Sequence, residues 1–374
     1  MSESVPSQPA VAPPASTAAP QRPPEPQEIA TDLARRVIGQ RDAIREMAIA
    51  LNKKLSGLPV GNLLMIGSSG TGKTTLMRSV ETFLEENPHF SMRSTVVRVH
   101  ANVLGEEAEQ GRPGEAVLHR LLERAREQLG PEAPVETVID QARRGIVFVD
   151  EVDKIRSHVG GEPNTRGIRA QEALLTVMEN EAVPLVLPRW AGGELKVIDS
   201  RNLLFVCGGA FEGLYDSVYD RITIGRDRGA LKPVTMVEDG VITEKLIFNL
   251  RDWLRNEDLF DYGMSPQFLA RFDAVVLLTD LTVEELMHIF VKIPDSGYRH
   301  AVNYFAGRGY KLAMTKGALK RMAEAAAVEK RLGARALKEV FRRVIRDYEY
   351  DPGALAQDGV IQIDVPEVEK ALKR

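Results

Sequence analysis

The sequence predicts an α/β fold, in which a large domain with a parallel sheet is followed by a smaller, mostly helical domain. Three observations carry this expectation. Short apolar runs such as "GNLLMIG", "RGIVFVD" and "RNLLFVCGG" alternate with stretches of helical period, the pattern of strands covered on both faces by helices. A Gly-x4-Gly-Lys-Thr segment lies between the first of these runs and the helix-period stretch after it, the context in which such a loop cradles phosphate. Beyond "DAVVLLTDL" the pattern turns mostly helical.

In chain order, residues 28 to 58 read as helical, with Ile44, Met47, Ala48 and Leu51 on one face. "GNLLMIG" is a buried strand, "TGKTTLMRSVETFLEE" a helix and "STVVRVHA" a second strand. "AVLHRLLERAREQL" is a helix with Leu118, Leu121, Leu122 and Ala125 inward, "RGIVFVD" a third strand, "AQEALLTVMEN" a helix and "RNLLFVCGG" a fourth strand. Thr282 and Glu285 in "LTVEEL" have capping-box spacing. Leu337, Val340, Phe341, Val344, Ile345 and Tyr348 form one stripe, and "YKLAM" and "GVIQIDV" read as short strands beside it. The expected division is a tail over residues 1–26, a large domain over 27–280 and a small domain over 281–374. The tail is rich in Pro, Ala and Ser with few large apolar residues, so disorder is expected there.

At 374 residues, 44% apolar and 27% charged, the chain exceeds one ordinary core. The net charge of −4 comes from 49 basic and 53 acidic residues mixed along the chain, which disfavours a nucleic-acid stripe or a polybasic membrane patch. The lone cysteine, Cys207, lies in the apolar run "LLFVCGGA" and reads as structural, with no disulfide framework or thiolate metal site. The six histidines are scattered without metal-ligand spacing. No apolar stretch approaches the ~20 residues of a membrane span, and the first residues lack a secretory pattern. A cytoplasmic location is therefore expected.

"GSSGTGKT", Gly67 to Thr74, provides the phosphate loop. Gly67, Ser68, Ser69, Gly70, Thr71 and Gly72 let backbone N–H groups close around phosphates at a helix N-terminus. Lys73 is suited to the β- and γ-phosphates and Thr74 to Mg2+, and Thr75 completes the nucleotide-contacting set. "IVFVDEVDKI" delivers Asp150 and Glu151 to the C-terminal end of a strand, where open α/β sheets bind ligands. Asp150 suits the Mg2+ shell, and Glu151 suits orienting and deprotonating an attacking water. Together the two motifs point to ATP hydrolysis with ATP and Mg2+ as cofactors.

"RVIGQRDAI", "GSSGTGKT", "RGIVFVDEVDKI", "NLLFVCGGAFEGL", "SPQFLARFDAVVLL" and "EKRLGARALKEVF" follow one another from about Ala34 to Asp351. In order and wording this series resembles the AAA+ ATPases, and among them the ClpX-like unfoldases of the Clp group. The resemblance implies a P-loop AAA+ large domain with a helical lid, and a ring, a hexamer, that unfolds or remodels a protein client. It implies Val37 and Ile38 against adenine, Arg271 as an arginine finger offered across a subunit interface, and Arg335 as the lid arginine that senses nucleotide. The runner-up reading is an AAA+ motor or regulator acting on a specific non-protease partner or on nucleic acid, although neither a basic arm nor a helix-turn-helix is found.

The chain departs from that family at several places. Where the relatives' pore loop presents an aromatic beside a branched apolar residue, this chain has Gly111-Arg112-Pro113-Gly114. Arg112 is then either a polar, client-facing grip or a solvated loop-tip charge. The second pore loop is shortened between Thr165 and Gln171. In "TIGRDRG", Ile224 and Gly225 match the peptidase-docking loop but Arg226 replaces its apolar residue, so docking to a ClpP-type peptidase is unsupported. With a single cysteine, no counterpart to the relatives' zinc-binding N-terminal domain is expected within these residues. Trp253, Leu254, Leu259 and Phe260 read as core or as a partner surface.

Overall fold

In a computed structural model the protein is described over residues 22–373, save 88–89, 91–93, 113, 180–181, 226, 228–232, 239–240, 247, 294–295 and 329–332. The tail expectation thus lies outside the described residues as far as Gln21, and Pro26 already opens a helix.

Five strands form the main sheet: β1 (Asn62–Ile66), β2 (Val96–His100), β3 (Ile146–Asp150), β4 (Leu204–Gly209) and β5 (Phe272–Leu277), in the order β5-β1-β4-β3-β2. Every neighbouring pair is parallel, so each connection must cross over the sheet. The helices α1 (Pro26–Leu33) and α2 (Arg41–Leu55) precede the sheet, and α3 (Lys73–Glu85) joins β1 to β2. Between β2 and β3 come α4 (Ala101–Glu109), α5 (Glu115–Leu129) and α6 (Val135–Ala142). The helix α7 (Thr165–Glu179) and an antiparallel hairpin, Val183–Val186 with Leu195–Ile198, lead to β4, which α8 (Leu214–Thr223) follows.

Alternation along each strand divides its side chains between two apolar layers. Ile146 and Phe148 of β3 pack with Met47, Leu51, Met77 and Val80. Val147 and Val149 face Leu118, Leu121, Leu122 and Ala125 of α5. All four of these β3 residues are fully buried, each contributing about 1.5–3 kcal/mol relative to exposure. A charge placed on either face of β3 would therefore be excluded.

Three segments differ from the sequence reading. Residues 28 to 58 are not one helical stretch: α1 ends at Leu33, the chain turns through residues 34–40, and α2 starts at Arg41. Gly39, at φ 82°, adopts the left-handed backbone that makes this break. The sheet also gains a fifth strand, β5, at one edge, where Asp273 and Val275 are exposed and Val276 is buried. The segment Thr165–Gln171 is not a loop but the first part of α7.

The C-terminal helices are α9 (Val283–Lys292), α10 (Gly297–Ala306), α11 (Lys316–Val328), α12 (Ala334–Tyr350) and α13 (Val365–Leu372). They enclose a separate core drawn from residues between Leu281 and Ala371, including Leu337, Val340, Phe341, Val344 and Ile345. The Thr282 hydroxyl accepts from the Glu285 N–H at 3.2 Å and the Glu285 carboxylate accepts from the Thr282 N–H at 2.9 Å, which closes the expected box. Lys311–Met314 and Val360–Ile363 form the expected strand pair, and it is parallel. Leu259 is buried, with Trp253 and Leu254 packed on the same core. Cys207 is fully buried, and burial pushes its thiol up from the usual range.

Candidate functional site

Gly67 to Thr74 turns over the C-terminal end of β1 and opens α3. Gly70 and Gly72 take φ values of 77° and 109°, which leave the loop's N–H groups free to converge as L side chains would not. The Thr71 hydroxyl donates to the Ser68 carbonyl at 2.8 Å, tying the loop across itself. Lys73 is 9% exposed. Its ammonium donates to the carbonyls of Gly67 and, at 3.0 Å, of Ser68. Burial pushes that ammonium down to about 8, while Asp150 and Asp153 work to raise it and Arg335 to lower it.

Strand order explains how the two motifs meet. β4 lies between β1 and β3, so the strand ends bearing Gly67 and Asp150 start about 10 Å apart. β4 ends in Gly208 and Gly209. A Cβ at Gly208 would lie 3.1 Å from Met77 Cε and 3.8 Å from Lys73 Cδ, and one at Gly209 would lie 2.6 Å from Asp153 Oδ1. Without side chains there, α3 and the end of β3 close over β4. The Thr74 hydroxyl consequently reaches Asp150 Oδ2 at 3.4 Å. Two hard oxygens placed together beside a glycine-rich loop fit Mg2+ and its waters, and a loop of this kind at a helix N-terminus fits a nucleotide polyphosphate.

Glu151 follows with φ 59°, a left-handed conformation rare outside glycine. Its N–H donates to Asp150 Oδ1 at 2.9 Å, and its half-exposed carboxylate lies 4.0 Å from His100 Nδ1. Val37 is buried and Ile38 half-buried in the turn before α2. Val37 Cγ1 would lie 3.9 Å from a Cβ on Gly72, so this turn borders the loop. From the other side the Ala334 N–H donates to the Gly70 carbonyl at 3.2 Å, which seats the start of α12, and with it exposed Arg335, beside the loop. Thr75 is exposed on the first turn of α3.

Arg271 lies apart from this group. It precedes β5, whose Phe272 pairs with Asn62 at the N-terminal end of β1, whereas the loop leaves the C-terminal end. Its guanidinium is paired with Glu179.

Sequence reasoning missed two site residues. Gln40 is 3% exposed. Its amide donates to the carbonyls of Thr71 at 3.0 Å and Thr279 at 2.8 Å, and its oxygen accepts from the Thr279 N–H at 3.0 Å. Asp153 is 2% exposed and accepts from the Ala210 N–H at 3.1 Å, linking the ends of β3 and β4. Both stood inside quoted motifs, but what they join becomes visible only in the fold.

The turn at Gly111–Gly114 joins α4 to α5. Pro113 lies outside the described residues. Arg112 is exposed, with Nη1 3.6 Å from the Glu115 carboxylate and Nη2 donating to Gln110. Gly114 has φ 80°, and a Cβ there would lie 2.0 Å from Val177 Cγ2. Gly114→Ala is expected to cost about 1–2 kcal/mol from the left-handed backbone and about 1–3 kcal/mol from displacing Val177. In urea unfolding, Val177→Ala should rescue only the second part. Ile224 and Gly225 are exposed, and Arg226 lies outside the described residues.

Among the described residues no helix is long and apolar enough to cross a membrane, and no cluster of His, Cys, Asp and Glu has metal-holding geometry. A family model described as AAA domain (Cdc48 subfamily) matches residues 58–275. The ATP-dependent Clp protease ATP-binding subunit ClpX 3 of Methylococcus capsulatus is 31% identical over 350 residues, covering 86% of this chain and 75% of that protein. The ClpX subunit of Azotobacter vinelandii is 31% identical over 307 residues, covering 81% and 64%. That of Bacteroides thetaiotaomicron is 28% identical over 346 residues, covering 88% and 77%.

Proposed function

Because the chain belongs to the AAA+ ATPases and is ClpX-like over most of its length, we propose that it hydrolyses ATP as a ring, a hexamer, to unfold or remodel protein clients. Gly67 to Thr75 hold the phosphates, with Lys73 exchanging its carbonyl partners for β- and γ-phosphate oxygens. Thr74 and Asp150 would hold Mg2+, which when bound would neutralise charge on those phosphates. Glu151 orients the attacking water and takes its proton. Val37 and Ile38 receive the adenine, and Arg335 carries the nucleotide's state into the helices after Leu281, where the large domain gives way to the lid.

One observation supports a ring most directly. Arg271 lies at the opposite end of the sheet from the phosphate loop of its own chain, so its guanidinium serves a neighbour's ATP. The site is complete only between two copies. Arg112 and the Gly111–Gly114 turn face the client in this reading, with hydrogen bonds and charge in place of an aromatic contact. With Arg226 in place of an apolar residue, docking to a ClpP-type peptidase is not expected.

The test measures loss of fluorescence from a folded fluorescent protein carrying an unstructured extension, with ATP, alongside sedimentation of the chain. The expected outcome is ATP-dependent unfolding by a species of several subunits, with or without a peptidase ring. ATP turnover by a monomer that leaves the reporter folded would overturn it.

A further inference from the structure

A second concavity lies at the N-terminal end of the sheet, about 17 Å from the phosphate loop across the five residues of β1. α2 ends at Leu55 with Lys53 and Lys54 in its last turn, and the chain returns through residues 56–61 to β1. Arg144 sits in the turn before β3, and Arg201 and Asn202 in the turn before β4. These segments enclose a cavity of about 510 Å³, with Lys54, Arg144 and Arg201 on its polar side and Leu58, Pro59 and Val60 on its apolar side. That volume falls in the range of about 300–1,000 Å³ usual for small ligands.

The charges around it are unbalanced in a specific way. Arg201 is forked onto Asp199, with Nη2 2.8 Å from Oδ2, and Arg143 pairs with Asp140 at 3.3 Å. Asp199 and Asp140 are thereby committed to Arg201 and Arg143. Lys54 donates to the Asn202 carbonyl. Among the described residues, no carboxylate forms an ion pair with Lys54 or with exposed Arg144. Burial and then the charge of Arg144 push the Lys54 ammonium down to about 8. Two cations thus face one cavity without a counter-charge.

We propose that this cavity binds a small polyanion carrying phosphoryl groups, held between Lys54 and Arg144. The guanidinium of Arg144 offers the planar fork that matches phosphate oxygens, and the ammonium of Lys54 offers a compact charge on the other side. An anion with two or more negative charges satisfies both and removes their mutual repulsion. The apolar wall excludes water from one side of the contact, which strengthens it.

The probe is inorganic pyrophosphate, titrated calorimetrically into the full chain with the phosphate loop already filled by a non-hydrolysable ATP analogue and excess Mg2+. The expected result is one further bound pyrophosphate per chain. Affinity should fall about 10-fold or more in Arg144→Ala and in Lys54→Met, with Arg144→Lys between these and the wild type. Arg144 is exposed, so its replacement leaves the fold intact. A second readout follows the Lys54 side-chain carbon resonance with pH: the midpoint should rise both with pyrophosphate and in Arg144→Ala. No binding once the phosphate loop is filled, or wild-type affinity in both variants, would overturn the proposal.

Discussion

Arg271→Ala is expected to lower ATP turnover by about 10³-fold or more while ATP still binds, as loss of an arginine finger does. β5 runs from Phe272 at one end of the sheet to Leu277 at the other, about 20 Å, and Arg271 precedes it. The side chain cannot span that length to its own Lys73. Its pairing with the Glu179 carboxylate is half exposed, and such pairs contribute only about 0.2–1 kcal/mol. A neighbour's γ-phosphate would draw the guanidinium away at little cost. Steady-state turnover and nucleotide binding, measured on the same preparation, separate the two effects. Mixing Arg271→Ala with Glu151→Gln subunits should recover part of the activity, because some interfaces then unite an intact finger with an intact carboxylate. Mixtures as inert as their components would place Arg271 in its own chain's site or outside catalysis.

Glu151→Gln is expected to retain ATP and slow its hydrolysis by about 10²- to 10⁴-fold, the usual contribution of a positioned base. The amide preserves size and leaves the backbone contact to Asp150 untouched, so only proton acceptance is lost. The backbone at φ 59° costs about 1–2 kcal/mol for a residue with a Cβ. Glu151→Gly releases that strain, so it should unfold at equal or higher denaturant than the wild type and be equally inert. A stabilised but inactive glycine variant would show that the strained turn exists to aim the carboxylate. Full turnover by Glu151→Gln would remove Glu151 from the chemistry.

Much of this is legible in the sequence alone. The buried strands announced themselves because both faces are covered, so "IVFV" and "LLFVC" carry no polar interruption. The loop at Gly67 to Thr74 and the Asp150-Glu151 pair were legible because phosphate chemistry fixes residue types at fixed spacing. β5 was harder to see: at an edge its outward positions Asp273 and Val275 remain in water, and one of them is charged. The break between α1 and α2 was hidden because apolar residues continue at helical spacing through Val37, although α1 ends at Leu33 and Gly39 is left-handed. Gln40 and Asp153 carry no signature of their own role. Glutamine and aspartate are ordinary surface residues, and their partners Thr279 and Ala210 come together only after the sheet forms.

The Gln40 amide has a consequence for motion. All three of its hydrogen bonds go to main chain, two of them to Thr279 and one to Thr71. It therefore works as a ruler of fixed length between the floor of the nucleotide site and the strand's exit. If the helices after Leu281 rotate as a lid, a rotation that began upstream of Thr279 would break that buried clasp. Such a rotation would pivot within Asp280, Leu281 and Thr282, the three residues that separate the clasp from the first turn of α9.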